Sequence, residues 1–510
     1  MKNQVSDKNS DFGDNWINNT YADSELIIGL VGAVGTDLSQ ISDIIKERLN
    51  LYKYKTEEIR VSKQIIQDLA EIEEISDEYE LINSYMSAGN DLRKKTSDYS
   101  ILALAAAAKI NHIRCEINSS CSEKDQPLKR YAFIINSLKS PDEVKRLRNI
   151  YSDGFFLIGV HTDKKRRLSF LKNKKGITET NAEKLIERDE DESVDYGQHT
   201  RDTFQHSDFF ISFDGCLDKL HNDIWRIISL VFGKPFVTPT FDEFAMFMAF
   251  SASLRSADLS RQVGAVIAKN KNIVSTGAND VPKAMGGLYW PEYEETNTKI
   301  VDAPNGRDYM KGYDSNAHEK NRIIKELLDA LPEDQRDNFE EYLTTKSSIK
   351  DITEYGRIVH AEMEAILACA RNNISTENAT LYCTTFPCHN CAKHIISAGI
   401  MRVIYIEPYP KSMAFDFHSD SISSDRRVPS KVVFEPFVGV GPRNFFNLFS
   451  MKFGSGYPLK RKNKDGTVKG WDQKDGRLRM QMLPCSYLER EILAATLLSQ
   501  YMEGINDDSN

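Results

Sequence analysis

Residues 380–400 read TLYCTTFPCHNCAKHIISAGI. With Ala379 before it, the stretch 379–385 has the β-branched and aromatic content of a strand. Pro387 suits the first turn of a helix, so Cys388 and Cys391 are expected at a helix N-terminus. Spaced three apart, they project from nearly the same face, where the positive end of the helix dipole favours thiolate. Upstream, residues 357–366 read RIVHAEMEAI, a helix-period pattern that places His360 beside Glu362 and Glu364. Two thiolates and one imidazole make three protein ligands for zinc and leave a fourth position for water, whereas structural zinc usually takes four protein ligands. A lone CxxC also fits a redox pair or a structural knuckle, and a lone His-x-Glu carries little weight. With Pro387 in place and 28 residues from His360 to Cys388, the joint pattern reads as a catalytic zinc site. His389 and His394 on the second helix are expected at the surface or in the core. Cys369 and Cys383 read as packing residues.

Working outward, a strand is expected at 402–408 (RVIYIEP), and before the site lie two more, QVGAVIAKN (262–270) and NIVSTGAND (272–280), joined by a tight turn. An amphipathic helix, FDEFAMFMAFSASLRS, opens this half. A polar, glycine-rich and helical insertion covers about 284–355. The first half begins with ELIIGLVGAVGTDLSQISDIIKERL from Glu25, a strand, a glycine turn and a helix in succession. Further strands are expected at 130–138, 154–160 and 208–213. The charged stretch 176–203 reads as solvated helix and loop, and KPFVTPT (234–240) as a linker. The expected organisation is therefore α/β throughout: a tail over 1–24, a parallel-sheet domain over 25–235, and an α/β/α domain over 240–500.

Composition narrows the function classes. A chain of 510 residues is long enough for two cores. Its 40% hydrophobic and 28% charged residues describe a water-soluble protein. Neither a signal-peptide h-region nor an apolar run of about eighteen residues is present, so a cytoplasmic protein without a membrane span is expected. The net charge of −9 argues against constitutive binding to a nucleic-acid backbone. Lys452–Arg479 is the local exception, with nine Lys or Arg against three Asp, and reads as a solvated loop rather than a polyanion site. Eight scattered cysteines do not make a disulfide framework.

Zinc lowers the pKa of a bound water to about 7, and Glu362 is placed to shuttle its proton without ligating the metal. His-x-Glu followed by Pro-Cys-x-x-Cys is the pattern of zinc nucleobase deaminases. HAEMEAI, TLYCTTFPCHNCAKHIISAGI and LSRQVGAVIAKNKNIVSTGAND together resemble the deoxycytidylate deaminases of the cytidine deaminase superfamily, over roughly 240–445. The resemblance implies a Zn2+ cofactor held by His360, Cys388 and Cys391, with Glu362 as proton shuttle. It also implies that Asn279 contacts the sugar or base, that the Ala361 backbone touches the pyrimidine, and that Arg255 and Gln262 approach the phosphate. The bland reading of Asn279 is a turn residue. The family's GYNG reads Gly277-Ala278-Asn279-Asp280 here.

GLVGAVGTDL invites a P-loop reading, with Gly29, Gly32, Gly35, Thr36 and Asp37 as candidate nucleotide-binding residues. The Walker lysine is missing: Thr36 stands after Gly35, and Asp37 takes the hydroxyl position. A degenerate nucleotide-binding domain, a purely structural turn and a working kinase all stay open. The whole chain, through GLVGAVGTDL, SLKSPDEVKRLRNIYSDGFFLIGV, GYDSN, YIEPYPKS and FEPFVGVGPRNFFNLF, resembles bacterial proteins that fuse a P-loop, nucleotide-kinase-like domain to a deoxycytidylate deaminase domain. That resemblance implies conversion of dCMP and dCTP to dUMP and dUTP in anti-phage defence, control by an inhibitory small RNA or a regulatory nucleotide, and a homo-oligomer. The rival chemistry is a cytosine deaminase acting on single-stranded DNA or RNA, which would need basic grooves and stacking aromatics.

Overall fold

In β1 (Leu26–Gly32) all seven residues are buried, as a strand covered on both faces requires. Alternate side chains serve two cores. Leu26, Ile28 and Leu30 pack on one face with α1 (Leu38–Leu51), and Ile27 and Val31 pack on the other. The computed structural model of the chain describes residues 23–507, apart from 120–125, 191–196, 198, 295–297, 353, 409–411, 455 and 483. The expected tail therefore lies outside the described residues except for Asp23 and Ser24, and Ser24 is buried rather than free. The described residues form two units, 1–240 with 438–510, and 241–437. Among them no helix is long and apolar enough to cross a membrane.

The first unit continues through β2 (Lys55–Arg60), α2 (Glu78–Thr96), α3 (Ile101–Ile117), β3 (Tyr131–Asn136) and α4 (Pro141–Tyr151). It is completed by β4 (Phe155–His161), α5 (Lys164–Asn173), α6 (Glu179–Glu190), β5 (Phe209–Ser212) and α7 (Leu217–Val231). The parallel strands run in the order β5-β4-β1-β3-β2.

Three sequence expectations change here. Residues 438–500, assigned to the second domain, pack into the first unit. Gly439–Val440 adds an antiparallel strand to β5. The C-terminal helix Pro484–Asp507 is held by Arg114, which is fully buried between Glu25 and Glu491, while the Tyr487 hydroxyl donates to Glu25 at 2.7 Å. A buried charge persists only when it is paired and hydrogen-bonded, so this cluster ties together residues 25, 114 and 491. Stretch 176–203 is not merely solvated: Ala182, Leu185, Ile186 and Asp189 of α6 are buried. Within the basic segment, Arg479 is buried, donating to the Ser450 carbonyl at 2.6 Å.

The second unit contains α8 (Phe241–Ser253), β6 (Gly264–Lys269), β7 (Asn272–Ala278), α9 (Ser315–Asp329) and α10 (Ala361–Arg371). After these come β8 (Thr380–Thr385), α11 (His389–Ser397), β9 (Arg402–Glu407) and β10 (Val432–Pro436). Its mixed sheet runs β10-β9-β8-β6-β7, with β6 antiparallel to both neighbours and the others parallel. The turn between β6 and β7 falls at Asn270 and Lys271, both at positive φ. Gly277 is required where β7 meets α10, since a Cβ there would lie 2.1 Å from the Ala361 carbonyl oxygen. The resulting backbone-to-backbone contact sets the position of the start of α10.

Candidate active site

Two helix N-termini build the site. His360 is the N-cap of α10, and Cys388 is the N-cap of α11, its sulfur accepting from Cys391 N–H at 3.4 Å. His360 Nδ1 lies 3.4 Å from each of the Cys388 and Cys391 sulfurs. These three residues form the metal-capable cluster among the described residues, with donor atoms all within 4.8 Å of one another. The bridge between Asp280 and Val359, whose N–H groups donate at 3.3 and 3.0 Å to each other's carbonyls, fixes the chain just before His360.

The donor set suits a cation once its protons are displaced. The hydrogen bond with Cys391 and the neighbouring His360 hold the Cys388 thiol down at about 4. The hydrogen bond to Cys388 raises His360 to about 9, and the bond to Cys388 together with burial pushes the Cys391 thiol up. The protein alone thus sets a thiolate against an imidazolium, and a metal would displace the protons of His360 and Cys391. Two sulfurs and an imidazole nitrogen at this mutual spacing fit a soft, tetrahedral divalent ion such as zinc. Glu362, 4% exposed, sits in the same cavity, and burial pushes its carboxyl above the usual carboxylate range.

That cavity, of about 210 Å³, is also lined by Ala361, Asn279, Arg261, Thr385 and Phe386. Asn279 is committed to the protein: its Oδ1 accepts from Val263 N–H at 2.6 Å, and its Nδ2 donates to Asp258 at 2.9 Å and to the Arg261 carbonyl at 2.8 Å. It is more than a turn residue, because it holds the loop that forms one wall.

Arg255 and Gln262 do not line the cavity. The Arg255 guanidinium lies 3.7 Å from the Trp290 ring centroid and donates to the Tyr289 carbonyl at 2.5 Å. Gln262 donates to the Ser256 carbonyl at 2.9 Å. The cavity's cation is Arg261, 3.6 Å from Glu407. Of the three polar side chains of this loop, Arg261 lines the cavity, whereas Arg255 and Gln262 turn to backbone carbonyls. The available signal was Asp258, which accepts from Ser260 N–H at 2.6 Å and so turns the loop.

The insertion also contributes, through Asp314 and Asn316 at the start of α9. It is bolted down by Arg307, 3.6 Å from Asp280 and 3.3 Å from Asp302, and by Arg357 with Asp308 at 2.9 Å. Glu364 has its own partner, Arg371, two turns along the same helix. Cys369 and Cys383 are buried in the core, as expected. His389 packs edge-on against Phe417, and neither it nor His394 joins the cluster.

Residues 239–407 match the family model described as the cytidine and deoxycytidylate deaminase zinc-binding region. The deoxycytidylate deaminase of Enterobacteria phage T2 is 34% identical over 169 residues, which cover 32% of this chain and 79% of that protein. The chain belongs to the deoxycytidylate deaminase family. The phage T4 deoxycytidylate deaminase matches at 34% identity as well, over 32% of this chain and 77% of the relative. The crystal structure of dCMP deaminase from the cyanophage S-TIM5 in complex with dCMP and dUMP aligns with 40% of this chain and all of its own, at 19% identity and a TM-score of 0.23. As a family member this deoxycytidylate deaminase is a hydrolase, and zinc is the family's metal.

In the first unit, Gly32, Gly35, Thr36 and Asp37 line a different cavity. Gly29 does not: it lies inside β1, where a Cβ would be 2.9 Å from Leu138 and Phe155, so close packing is its reason. Asp37 is the N-cap of α1, accepting from Gln40 N–H at 3.2 Å.

Proposed function

We propose that the second unit hydrolyses the exocyclic amine of deoxycytidine nucleotides, turning dCMP into dUMP and dCTP into dUTP. The observation that carries this is the convergence of His360, Cys388 and Cys391 beside a buried Glu362 in one cavity. Zinc held by those three residues supplies the Lewis acidity that makes water a nucleophile at neutral pH. Glu362 accepts the proton that water loses and delivers it to ring nitrogen 3 of cytosine. It next takes the proton of the hydroxyl added at carbon 4 and passes it to the exocyclic amine, so that the C4–N bond breaks, ammonia leaves and the carbonyl forms. Burial of Glu362 raises its pKa above the usual carboxylate range, which makes it a stronger base toward that water and suits it to hand the proton on. Ala361 offers its backbone to the ring, Asn279 holds the wall, and Arg261 faces the phosphate in place of Arg255 and Gln262.

The wider reading follows the sequence resemblances. The deaminase depletes dCTP in anti-phage defence, as a cytoplasmic homo-oligomer. Its first unit is a P-loop, nucleotide-kinase-like domain with a degenerate glycine loop, controlled by a regulatory nucleotide or an inhibitory small RNA. Support for the domain reading comes from the parallel β5-β4-β1-β3-β2 order and the cavity beside the glycine loop.

The test incubates the purified full chain with cytidine, dCMP, dCTP, CTP and a single-stranded oligonucleotide, with products read by mass. dUMP and dUTP are expected. Glu362→Ala should lose turnover while its metal content, read by elemental analysis, stays unchanged. Ammonia release by that variant at the wild-type rate, or activity on the oligonucleotide alone, refutes the proposal.

A further inference from the structure

The first unit holds a cavity of about 280 Å³ that deamination does not use. It is lined by residues at the C-terminal ends of β1 and β3, the edge where open parallel sheets place their ligands. Its lining includes the glycine loop, Gly32 to Asp37, with Lys139 just past β3, and an apolar set, Val61, Ile66, Leu81, Tyr85 and Met86, beside charged groups such as Glu78 and Lys175.

The loop lacks a Walker lysine in sequence, but folding brings it an ammonium. Lys139 Nζ donates to the Gly32 carbonyl at 3.0 Å. Against the same loop stands Asp189 of α6, which is fully buried. Its Oδ2 accepts from Val34 N–H at 2.8 Å, and its Oδ1 accepts from Lys139 Nζ at 2.7 Å and from the Thr200 hydroxyl at 3.1 Å. A glycine-loop N–H and a lysine are the donors with which such loops hold phosphate oxygens. Here a carboxylate of the chain itself takes that place.

Among the residues lining the cavity, Arg93 is paired through its terminal nitrogens with Glu143 at 2.8 Å and Asn90 at 3.2 Å. Arg93, 1% exposed, leaves its Nε without a partner, and the buried Thr36 hydroxyl has none either.

We infer that this cavity binds a nucleoside phosphate and that Asp189 is its built-in competitor. The inference rests on the nucleotide-domain part of the proposal above and is independent of the deaminase site. A phosphate takes the place of the Asp189 carboxylate on Val34 N–H and Lys139, because two anions cannot share those donors. The base packs against the apolar residues of the lining. Displacing Asp189 means shifting α6, which is fastened to α2 by Arg188 on Asn83 and Ser87, and whose hairpin with α5 is fastened there by Lys175 on Glu78 at 3.2 Å. Binding therefore competes with a latch, and the apparent affinity falls by the fraction of molecules in which the latch is open.

The experiment is calorimetric titration of the full chain with inorganic triphosphate, dTTP and ATP. Wild type is compared with Asp189→Asn, Lys139→Met and the double variant, and dCMP turnover of each sample checks the second unit. Asp189→Asn should tighten triphosphate binding by about tenfold or more, since it removes the competing charge. Lys139→Met should weaken it by a similar factor. The double variant leaves no buried charge unpaired and should bind no better than wild type, which separates loss of the ligand donor from misfolding. Both nucleotides should bind more tightly than inorganic triphosphate. Equal affinity of Asp189→Asn and wild type overturns the competitor. Absence of binding in every form overturns the site, and equal affinity for triphosphate and nucleotides overturns its nucleoside part. Normal dCMP turnover alongside any of these failures leaves the deaminase reading intact.

Discussion

Gly277→Ala tests how the fold holds the reaction centre. A Cβ at 277 would lie 2.1 Å from the Ala361 carbonyl oxygen and 2.6 Å from Ala365 N, where real Cβ atoms keep at least 3.0 Å. Both contacts are backbone, so no side chain can swing away. Nearly 1 Å of relief must come from moving the start of α10 off β7. That turn carries Ala361 and Glu362 and begins at His360, so the proton shuttle moves with it. A misplacement of about 1 Å can cost roughly 100-fold in rate, and overpacking of this kind costs about 1–3 kcal/mol. The expected variant folds with a lower Tm, retains part of its metal, and deaminates dCMP about 100-fold more slowly in kcat. Gly470→Ala is the control, since a Cβ there meets nothing within 4 Å. Wild-type kcat in Gly277→Ala, with Gly470→Ala also unchanged, would refute the claim that this contact positions Glu362.

Cys388→Ala should lose most of its zinc by elemental analysis, because two donors remain where three converged; retention at full stoichiometry would contradict the ligand set. Arg261→Ala should raise KM for dCMP about tenfold or more while barely changing turnover of the unphosphorylated nucleoside, as loss of one charged hydrogen bond predicts. An equal effect on both substrates would remove Arg261 from phosphate recognition. His161 gives a pH signature in stability. Burial, with the nearby Arg167 charge, holds its imidazole down at about 4. The folded imidazole stays neutral down to about 4 while the unfolded one takes up a proton near 6.5, so burying it costs nothing above that value and lowers stability as pH falls from there to about 4. Urea unfolding of the first unit should show about 1–2 kcal/mol less stability at pH 5 than at pH 7, and His161→Gln should flatten that difference.

Much of the second unit was legible because its signals are local. Pro387, the Cys388–Cys391 spacing and the period of RIVHAEMEAI each report on one turn of backbone, and both cysteines lie at a helix N-terminus as expected, although Pro387 precedes the N-cap Cys388 rather than entering the first turn. Arg261 was not legible, since Arg255, Arg261 and Gln262 share one loop. Only the Asp258 turn and the Asn279 hydrogen bonds decide which of them meets the cavity. Glu364 could not be interpreted without Arg371 beside it.

The first unit shows the same division more sharply. Short apolar runs separated by helical stretches led to the expectation of a parallel sheet, because burial on both faces demands near-continuous hydrophobicity. The sequence could not place 438–510, because a buried ionic cluster joining residues 25, 114 and 491 is a contact between segments hundreds of positions apart. It likewise recorded the loss of the Walker lysine as the loss of a cation. The fold returns one from Lys139 and sets Asp189 against it. Local patterns follow from steric and hydrogen-bonding rules within a few residues, so sequence alone determined the elements and the metal-ligand spacing. Pairing of distant charges is settled only by burial, and burial belongs to the tertiary structure.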